Sequence, residues 1–368
     1  MHRKYTLGLM SMFLASGFFA VSAAVCFASI PVHLETPEDN KVCLGCHDDP
    51  ELKKTLGDGR VISLHVDGDA FEKTVHSNRV CTDCHTDIKA IPHTHAIQKV
   101  NCGRCHYVEE IQGTRMPKKP SKYKESVHKH ALQAGNQNAP TCQNCHGAHD
   151  IRHPSDPESH VHRENIPETC GACHIDIYSG YRESVHGLEL LAGNSDVPVC
   201  TDCHGEHSIQ SPKSPGSKVY ATRVPETCSQ CHAEERVEDK YGIPRERYQT
   251  YRESYHGIAN KFGSVTVANC ASCHGAHDIR PSSDPKSSVN KKNLPNTCGK
   301  CHRGANENFA KGKIHIIISK REASLLYYVS NGFKWLTICV MAALVGHITL
   351  DLLAKYRRRK RRGEDILQ

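Results

Sequence analysis

Large apolar side chains are scarce in this chain. It has one Trp, 8 Phe and 5 Met in 368 residues, and only 6% of its residues are aromatic. The hydrophobic share is 38%. Because burial of apolar surface is the main force that drives folding, such a composition leaves a core of side chains alone marginally stable. We therefore expect another group to supply much of the apolar surface of the core.

A strong charge bias is also lacking over most of the chain. Lys and Arg number 47 and Asp and Glu number 40, which gives a net charge of +7. The short segment 355–362 contains seven of these basic residues. Since the excess charge is concentrated there, the rest of the chain offers no basic surface of the kind that binds nucleic acid. We expect no nucleic-acid partner.

Cysteine and histidine are abundant, with 20 and 27 copies. Eighteen of the cysteines form nine copies of the pattern Cys-x-x-Cys-His, which is the attachment signature of c-type haem. The two thiols, one helical turn apart, can each add to a haem vinyl group, and the adjoining His ligates the iron. The cysteines are Cys43, Cys46, Cys81, Cys84, Cys102, Cys105, Cys142, Cys145, Cys170, Cys173, Cys200, Cys203, Cys228, Cys231, Cys270, Cys273, Cys298 and Cys301. The proximal histidines are His47, His85, His106, His146, His174, His204, His232, His274 and His302.

Zinc sites and disulfides explain this pattern poorly. A zinc site would use Cys-x-x-Cys pairs in twos, but the motifs are odd in number and the fixed His would have no role. A disulfide framework does not place His after every second Cys. The sequence thus predicts nine covalently bound haem c groups. The predicted fold is mainly α with little regular secondary structure, and its core is dominated by haem. Each motif is expected to begin a helix of two or three turns.

Three segments of equal length repeat in the middle of the chain. They are residues 123–174, 181–232 and 251–302, each 52 residues long. Each begins Tyr-x-Glu-Ser-x-His, has a first motif 14 residues after that His, continues as His-Gly-x-His and ends Pro-x-Thr-Cys-x-x-Cys-His. Each is therefore a two-haem module with two further histidines in fixed register. Residues 41–106 form a shorter, three-haem N-terminal module.

The histidines outside the motifs supply candidates for a second axial ligand on each iron, which would make it low-spin and closed to substrate. The predicted distal ligands are His65, His76, His93, His128, His149, His186, His207, His256 and His277. In the N-terminal module the choice of His93 over His95 rests only on its greater separation from Cys102. His149 is one turn from His146, so we expect it to serve a neighbouring haem, for example that at Cys170.

The remaining histidines fall outside the repeat register. His2, His33, His153, His160 and His162 are predicted to be propionate partners or solvent-exposed residues rather than ligands. His315 lies between the last motif and the C-terminal apolar stretch, and the sequence leaves its role open.

Both ends of the chain carry apolar segments. Residues 1–30 are predicted to be a secretory signal peptide, with an uncleaved N-terminal anchor as the alternative. Residues 333–354 are long enough to form one transmembrane helix. The basic residues that follow mark segment 355–368 as a cytoplasmic tail, which places the haem region in the periplasm. We expect a cytoplasmic (inner) membrane protein with a single C-terminal anchor.

Two ionisable residues, His347 and Asp351, lie one turn apart in this predicted membrane helix. Such residues are functional candidates at membrane depth. His347 could bind a haem or face a quinone site, but only with another subunit, because one histidine cannot provide two axial ligands. A His347–Asp351 hydrogen bond against a partner helix is the structural alternative.

The segments Tyr181–Gly187 and Cys200–His207 are typical of a known group of proteins. On these residues the chain resembles the multihaem c-type cytochromes with doubled haem motifs, the c3/c7-like families, over roughly residues 40–350. Related haem domains precede a cytochrome-b561-type membrane domain in anaerobic respiratory bacteria, whereas this chain has one membrane helix. The resemblance implies periplasmic electron transfer with a separate membrane cytochrome b or quinone-linked subunit and with periplasmic redox proteins as partners.

Two functions compete at this point. The first is electron transfer between the membrane quinone pool, or a membrane redox partner, and periplasmic or outer-membrane acceptors, with no catalytic residue. The alternative is a multihaem reductase or oxidase of a small nitrogen or sulfur substrate. The alternative needs an iron with an open site. Since every motif ends in His and the further histidines suffice for all of them, we expect an electron carrier rather than an enzyme.

Overall fold

The structure is a computed structural model. The residues that it describes are 30–93, 97–106, 110–111, 114–115, 119–312, 314–316 and 324–364. The predicted signal or anchor segment before Ile30, the alternative ligand His95 and the end of the basic tail at 365–368 lie outside them. The described chain forms two compact units, and each is treated by itself. One contains residues up to Gly68 together with His76–Cys102, and the other contains Asp69–Val75 and the residues from Gly103 onward.

Short helices dominate both units, as the predicted fold class requires. The helices are α1 Lys41–His47, α2 Gly68–Glu72, α3 Cys81–Cys84, α4 Gly103–His106, α5 Val127–Gln133, α6 Cys142–His146, α7 Ile166–Gly171, α8 Ile175–Arg182, α9 Val185–Leu191, α10 Cys200–His204, α11 Val224–His232, α12 Glu235–Tyr241, α13 Glu246–Glu253, α14 Tyr255–Lys261, α15 Cys270–His274, α16 Leu294–Gly299, α17 Glu307–Ala310 and α18 Ser324–Glu364. Two 3-10 helices span Pro37–Asn40 and Lys119–Glu125.

Strands are few and very short among the described residues. They are β1 Ile30–Pro31, β2 Lys53–Thr55, β3 Val61–Ser63, β4 Ala90–Ile91, β5 Glu110–Ile111 and β6 Thr114–Arg115. They form three antiparallel pairs, β1 with β4, β2 with β3 and β5 with β6. None reaches the size of an independently stable sheet. The expectation of a mainly helical chain without an extended sheet is therefore confirmed.

The first motif of each repeat is a single helical turn. Helices α6, α10 and α15 begin at the first Cys of the motif and end at its His. Gly205, which follows α10, has φ +84° and ψ 178°, and Gly147 and Gly275 after the other two helices are alike. Only glycine adopts this backbone conformation readily, so it ends each helix. The expectation that each motif begins a helix of two or three turns is wrong for this reason.

The second motif of each repeat lies at the C-terminal end of its helix. Helices α7, α11 and α16 have Pro in their first turn, which suits this position because the missing N–H has no helical partner there. The hydroxyl of Thr169 donates to the carbonyl of His160 at 2.6 Å, and Thr227 and Thr297 make the same bond to Lys218 and Ser288. The Pro-x-Thr sequence before the motif therefore fixes how its helix begins.

The Tyr-x-Glu-Ser-x-His opening forms a cap for the helix that carries the histidine. In repeat 2, Ser184 is 1% exposed, accepts from the backbone N–H of Gly187 at 3.1 Å and donates to the carbonyl of Tyr181 at 2.6 Å. The Tyr181 hydroxyl donates to the carbonyl of Pro198, just before the next motif, at 2.9 Å. Repeats 1 and 3 contain the same bonds. The opening thus holds its His at a set position relative to the first motif.

Consecutive repeats are joined by a backbone hydrogen bond at the same register. The N–H of Val127 donates to the carbonyl of Ile209, and Val185 donates to Ile279, both at 2.8 Å. Val75 donates to Ile151 at 2.9 Å in the same way. Each acceptor lies two residues after the His that follows a first motif. This contact places that His beside the preceding repeat.

Buried apolar side chains are few in the described residues, as the composition predicts. They are Val80, Ile88, Leu190, Val197, Val199, Val237 and Tyr251. The one cluster among them contains Leu190, Val197 and Val199, with Ile166 and Tyr181 packed against it. Several buried side chains are instead small and polar, such as Ser159 and Ser287 at 1% exposure. Hydrogen bonds within the loops therefore hold together parts of the chain that a larger apolar core would otherwise stabilise.

The last helix, α18, has the length and composition of a membrane span. Within it, residues 325–363 include an 18-residue window with a mean hydropathy of 2.0, and none of that window is buried. Thr337 and Thr349 donate their hydroxyls to the carbonyls of Phe333 and Val345, so the helix itself satisfies these polar groups. Asp351 pairs with Lys355 at 2.7 Å rather than with His347. The predicted span 333–354 lies inside this helix, which is the candidate membrane anchor.

Replacing Ser184 with Ala tests the cap of the repeat opening. The change removes both hydrogen bonds of a buried side chain, and loss of a Ser cap typically costs about 1 kcal/mol. We expect the apparent Tm, followed by circular dichroism, to fall by about 2–4 °C. Ser179→Ala is the matched control, because Ser179 is exposed in the neighbouring helix α8. Equal effects of the two substitutions would contradict the role of the cap.

Candidate haem-binding sites

Seven of the motif histidines face a second imidazole across a nearly constant gap. The distances between ring centroids are 6.0 Å for His47–His93, 6.3 Å for His128–His174, 5.9 Å for His146–His207, 6.3 Å for His186–His232, 6.0 Å for His204–His277, 6.1 Å for His256–His302 and 6.4 Å for His274–His315. Rings in direct face-to-face contact would lie at about 3.5–4 Å. The gap therefore excludes face-to-face contact in the three nearly parallel pairs, which are His47–His93, His146–His207 and His204–His277.

The gap matches the space that one metal ion needs between two imidazoles. A metal–imidazole bond of about 2 Å on each side, plus roughly 1 Å from each nitrogen to its ring centroid, gives about 6 Å. The repetition of this value in seven pairs, each containing a motif His, fits a haem iron held between the two rings. The residues present thus fit the group that the motifs predict.

A hydrogen bond at Nδ1 of His47 leaves Nε2 of the same ring available to bind a metal. Nδ1 of His47 donates to the carbonyl of Leu64 at 2.8 Å, since a carbonyl oxygen only accepts. The proton is therefore on Nδ1, and Nε2 carries the lone pair. The hydrogen bond at one ring nitrogen sets which nitrogen binds a metal.

Burial also favours the neutral form of several paired rings. It lowers the pKa of His186 to about 4, with His232 as a second cause. Burial is likewise the largest cause that lowers the pKa of His146, His204 and His274 below the usual value. A neutral imidazole has the lone pair that ligation requires. Burial therefore favours the metal-binding form of these four rings.

The pairs follow one rule in the repeats. The His of each opening faces the second motif His of its own repeat, as His186 faces His232. The His after a first motif instead faces the first motif His of the preceding repeat, as His207 faces His146. The structure places His128, not His149, opposite His174. The expected service of His149 to the haem at Cys170 is therefore wrong, although rings of neighbouring repeats do face each other.

The predicted distal residues do not all lie opposite a motif ring. His93, His128, His186, His207, His256 and His277 do. His76 and His149 occupy the corresponding positions in the sequence, and their assignment stays a prediction from that register. Among the described residues, His65 has no ring contact with a motif histidine, and only its backbone N–H bonds, to Ser63. His315, left open by the sequence, faces His274.

Most of the other histidines have local polar surroundings. His160 pairs with Asp150 at 2.9 Å, and His153 hydrogen-bonds to Ser155 at 2.8 Å. His33 lies 3.7 Å from Glu35. The assignment of these three histidines as non-ligands stays a prediction. His153 bonds only to a residue of its own loop and is therefore a suitable control position. Nδ1 of His162 is buried without a hydrogen-bond partner among the described residues.

Consecutive motifs lie against one another. The thiols of Cys170 and Cys200 lie close enough for each to shift the pKa of the other, as do those of Cys228 and Cys270. In the other unit, Cys43 and Cys81 make the same contact. Each pair joins the first cysteine of one motif to the first cysteine of the next.

The consecutive motifs that these thiol pairs do not join are close enough to affect each other's pKa values. Burial, followed by the charge of Cys170, raises the pKa of Cys145. Cys228 and Cys298 act in the same way on Cys203 and Cys273. His106 likewise contributes to the lowered pKa of His146, after burial and His207. From the third motif to the ninth, the sites therefore follow one another in chain order.

A cavity of about 550 Å³ adjoins these sites in repeat 2. Its lining includes four basic residues, Lys122, Arg163, Lys218 and Arg236, and three acidic residues, Asp196, Asp202 and Glu206. Arg163 pairs with Asp202 at 2.9 Å, and Arg236 pairs with Asp196 at 2.8 Å. Acidic and basic side chains therefore nearly balance in this cavity.

Comparison with known proteins agrees with this arrangement. A family model described as "Doubled CXXCH motif" matches residues 193–237. The chain is 26% identical over 168 residues to the multiheme cytochrome MtrA of Shewanella baltica, which covers 42% of this chain and 45% of MtrA. It is 25% identical over 177 residues to the cytochrome c-type protein NrfB of Escherichia coli, which covers 44% of this chain and 81% of NrfB. The chain thus spans less than half the length of MtrA. No solved structure matches it.

The matched segment, residues 193–237, includes both motifs of repeat 2. The two relatives are themselves cytochromes by name. These matches join the paired thiols and facing imidazoles in pointing to covalently bound haem c. The chain is a multihaem c-type cytochrome.

Proposed function

We propose that this chain is a nonahaem electron-transfer cytochrome of anaerobic respiration. It carries electrons between the membrane quinone pool, or a membrane redox partner, and periplasmic or outer-membrane acceptors. The observation that carries the proposal is the chain order of the sites from the fourth motif to the ninth, each with a motif ring that faces a second imidazole. A continuous row of closed sites suits conduction and offers little to a substrate.

The chain's own residues have three tasks in this function. The paired cysteines hold each haem covalently, and the motif His and a second His bind its two faces. When bound, haem supplies a one-electron carrier whose potential depends on its axial ligands, burial and hydrogen bonds. Hydrogen bonds such as that from His47 to Leu64 orient the rings, as outer partners of metal ligands do. Thr169, Thr227 and Thr297 fix the helices that contain the second motifs.

The membrane helix supports a periplasmic location with a membrane partner. The basic residues at the C-terminal end of α18 favour the cytoplasmic side for the tail, so the haem region is periplasmic. The helix contains one histidine, His347, and cannot by itself provide two axial ligands for a membrane haem. Oxidation of quinol therefore requires a separate cytochrome b or quinone-linked subunit.

The reductase or oxidase alternative requires at least one iron with an open face. The facing imidazoles at seven sites argue against it for those sites. Nitrite or cyanide added to the purified protein would produce a shifted high-spin signal in electron paramagnetic resonance only if such an iron existed. The electron-carrier proposal expects no such signal.

Replacing His186 with Ala tests the closed sites directly. Removal of the ring opposite His232 leaves that iron with one axial ligand, so we expect one haem in nine to become high-spin and its potential to shift. The visible spectrum, electron paramagnetic resonance and a redox titration measure these changes. His153→Ala is the control, because His153 is exposed and bonds only within its own loop. An unchanged spin state in His186→Ala would mean that the distal ligand lies elsewhere.

A quinol assay tests the need for a membrane partner. We expect a short-chain quinol to reduce the haems rapidly in native membranes but not in the purified, detergent-solubilised chain. The reason is that a single helix offers no complete site for quinol oxidation. Dithionite serves as the control that the purified haems are reducible. Rapid reduction of the purified chain by quinol would contradict the proposal that quinol oxidation requires a separate subunit.

C-terminal fusions test the topology. A green fluorescent protein fused after Gln368 should fluoresce, and alkaline phosphatase at the same position should be inactive, because the tail is cytoplasmic in this proposal. Replacing the basic residues of 357–362 with Gln should weaken this orientation. An active phosphatase fusion on the unmodified chain would mean that the tail is periplasmic and the haem region cytoplasmic, which would contradict the proposal.

A further inference from the structure

The segment between the last repeat and the membrane helix contains a histidine that the motif pattern does not explain. We propose that His315 is the distal ligand of the haem held by Cys270 and Cys273, and that its segment closes repeat 3 where a further repeat would otherwise stand. The inference rests on the proposed haem-carrying function and assigns one ligand within it.

Under the pairing rule of the repeats, the first motif His of the last repeat has no partner in a following repeat. The first motif His of repeat 1, His146, faces His207 of repeat 2, and His204 of repeat 2 faces His277 of repeat 3. Repeat 3 is followed by no further motif, so its first motif His needs a ring from another source. His315 lies opposite His274 at 6.4 Å between centroids, close to the distances of the other pairs.

The sequence around His315 echoes the part of a repeat that would supply this ring. His207 and His277 are each followed two residues later by Ile, whose carbonyl accepts the joining backbone bond from the preceding repeat. His315 is also followed two residues later by an isoleucine, Ile317. The segment thus keeps the His-x-Ile portion of a repeat without the motif. Atypical terminal units that cap the last repeat are general in repeat proteins.

Hydrogen bonding fixes the ring of His315 in a ligating form. Nδ1 lies 3.0 Å from the hydroxyl of Thr250, and that hydroxyl donates its proton to the carbonyl of Arg247 at 3.0 Å. Since the hydroxyl has one proton, its oxygen must accept from Nδ1–H of His315. The lone pair therefore resides on Nε2. Thr250 is 7% exposed, so this bond forms in a protected position.

Helix α13 provides this support at a defined point of the fold. It contains Thr250 and Tyr251, and Tyr251 bonds to the carbonyl of Ala268 just before the first motif of repeat 3. The same helix therefore positions both the motif and the ring that faces it. Such an outer hydrogen bond is a common feature of metal-ligating histidines.

This assignment completes the ligand set without His65. Six of the nine predicted distal residues face a motif ring, and His315 replaces His65, which contacts no motif ring in the described part of the chain. Together with His76 and His149, which stay predictions from the repeat register, nine motif histidines then have nine proposed partners. His315 is nine residues before Ser324, the first residue of α18, a reach of at most roughly 30 Å. The membrane anchor is thus directly connected to the haem site of the first motif of repeat 3, not to that of the last motif.

The test uses the full-length protein in detergent. In His315→Ala, we expect the haem content per chain to be unchanged and one haem in nine to become high-spin. After reduction, this variant should bind about one carbon monoxide per chain, whereas the wild type binds none. Added imidazole should restore the low-spin spectrum. His65→Ala is the matched control and should behave as wild type.

Other results would overturn the assignment. A low-spin His315→Ala protein that binds no carbon monoxide would do so, and so would a high-spin haem in His65→Ala. If His315→Ala fails to accumulate, His315→Met should accumulate as a fully low-spin protein in which one haem has a raised potential, because Met ligation raises it. Unchanged potentials in His315→Met would also reject the proposal. Failure of the proposed function is distinct, since the wild type would then lack haem or closed irons.

Discussion

The rest of this structure depends on pairs of imidazole rings whose centroids lie about 6 Å apart. The two rings of a pair lie on opposite sides of a position that fits a metal ion. The motif fixes one ring next to two thiols, so the second ring must come from another part of the chain. In the repeats, the helix after each Tyr-x-Glu-Ser-x-His opening supplies one such ring, and the next repeat supplies the other. Each module is therefore incomplete without its successor. This requirement makes the order of the sites in space follow their order in the sequence.

The protein around these rings contains few buried apolar side chains. Its apolar cluster is small, and single-turn helices, glycine-terminated motifs and buried serines hold the rings in place. The hydrogen bonds of Ser184 and Tyr181 connect a distal His to the start of the next motif. Because each haem would bind residues from separate segments, cofactor attachment and folding are coupled, as in other small metal-dependent domains. A chain so poor in large apolar residues can fold in this way.

Much of the site could be predicted from the sequence, because covalent attachment and axial ligation need fixed residue types at fixed spacing. The motifs and the two-His register of each repeat were visible in the pattern. Which ring faces which was not, since it depends on the backbone bonds that join repeats, such as Val127 to Ile209. His315 was ambiguous because its segment has no motif, although His-x-Ile was a usable signal. Helix lengths were overestimated because the glycine after each first motif ends the helix within one turn.

The same logic defines what the membrane helix can contribute. A closed site needs two imidazoles from different segments, and α18 offers only His347. Its neighbour Asp351 is paired with Lys355 at the basic end of the helix, so the two ionisable groups do not form a unit of their own. The helix is therefore a candidate anchor, and any redox site at membrane depth would need a second subunit. As the proposed ligand of the haem held by Cys270 and Cys273, His315 would connect that candidate anchor to the row of haem sites.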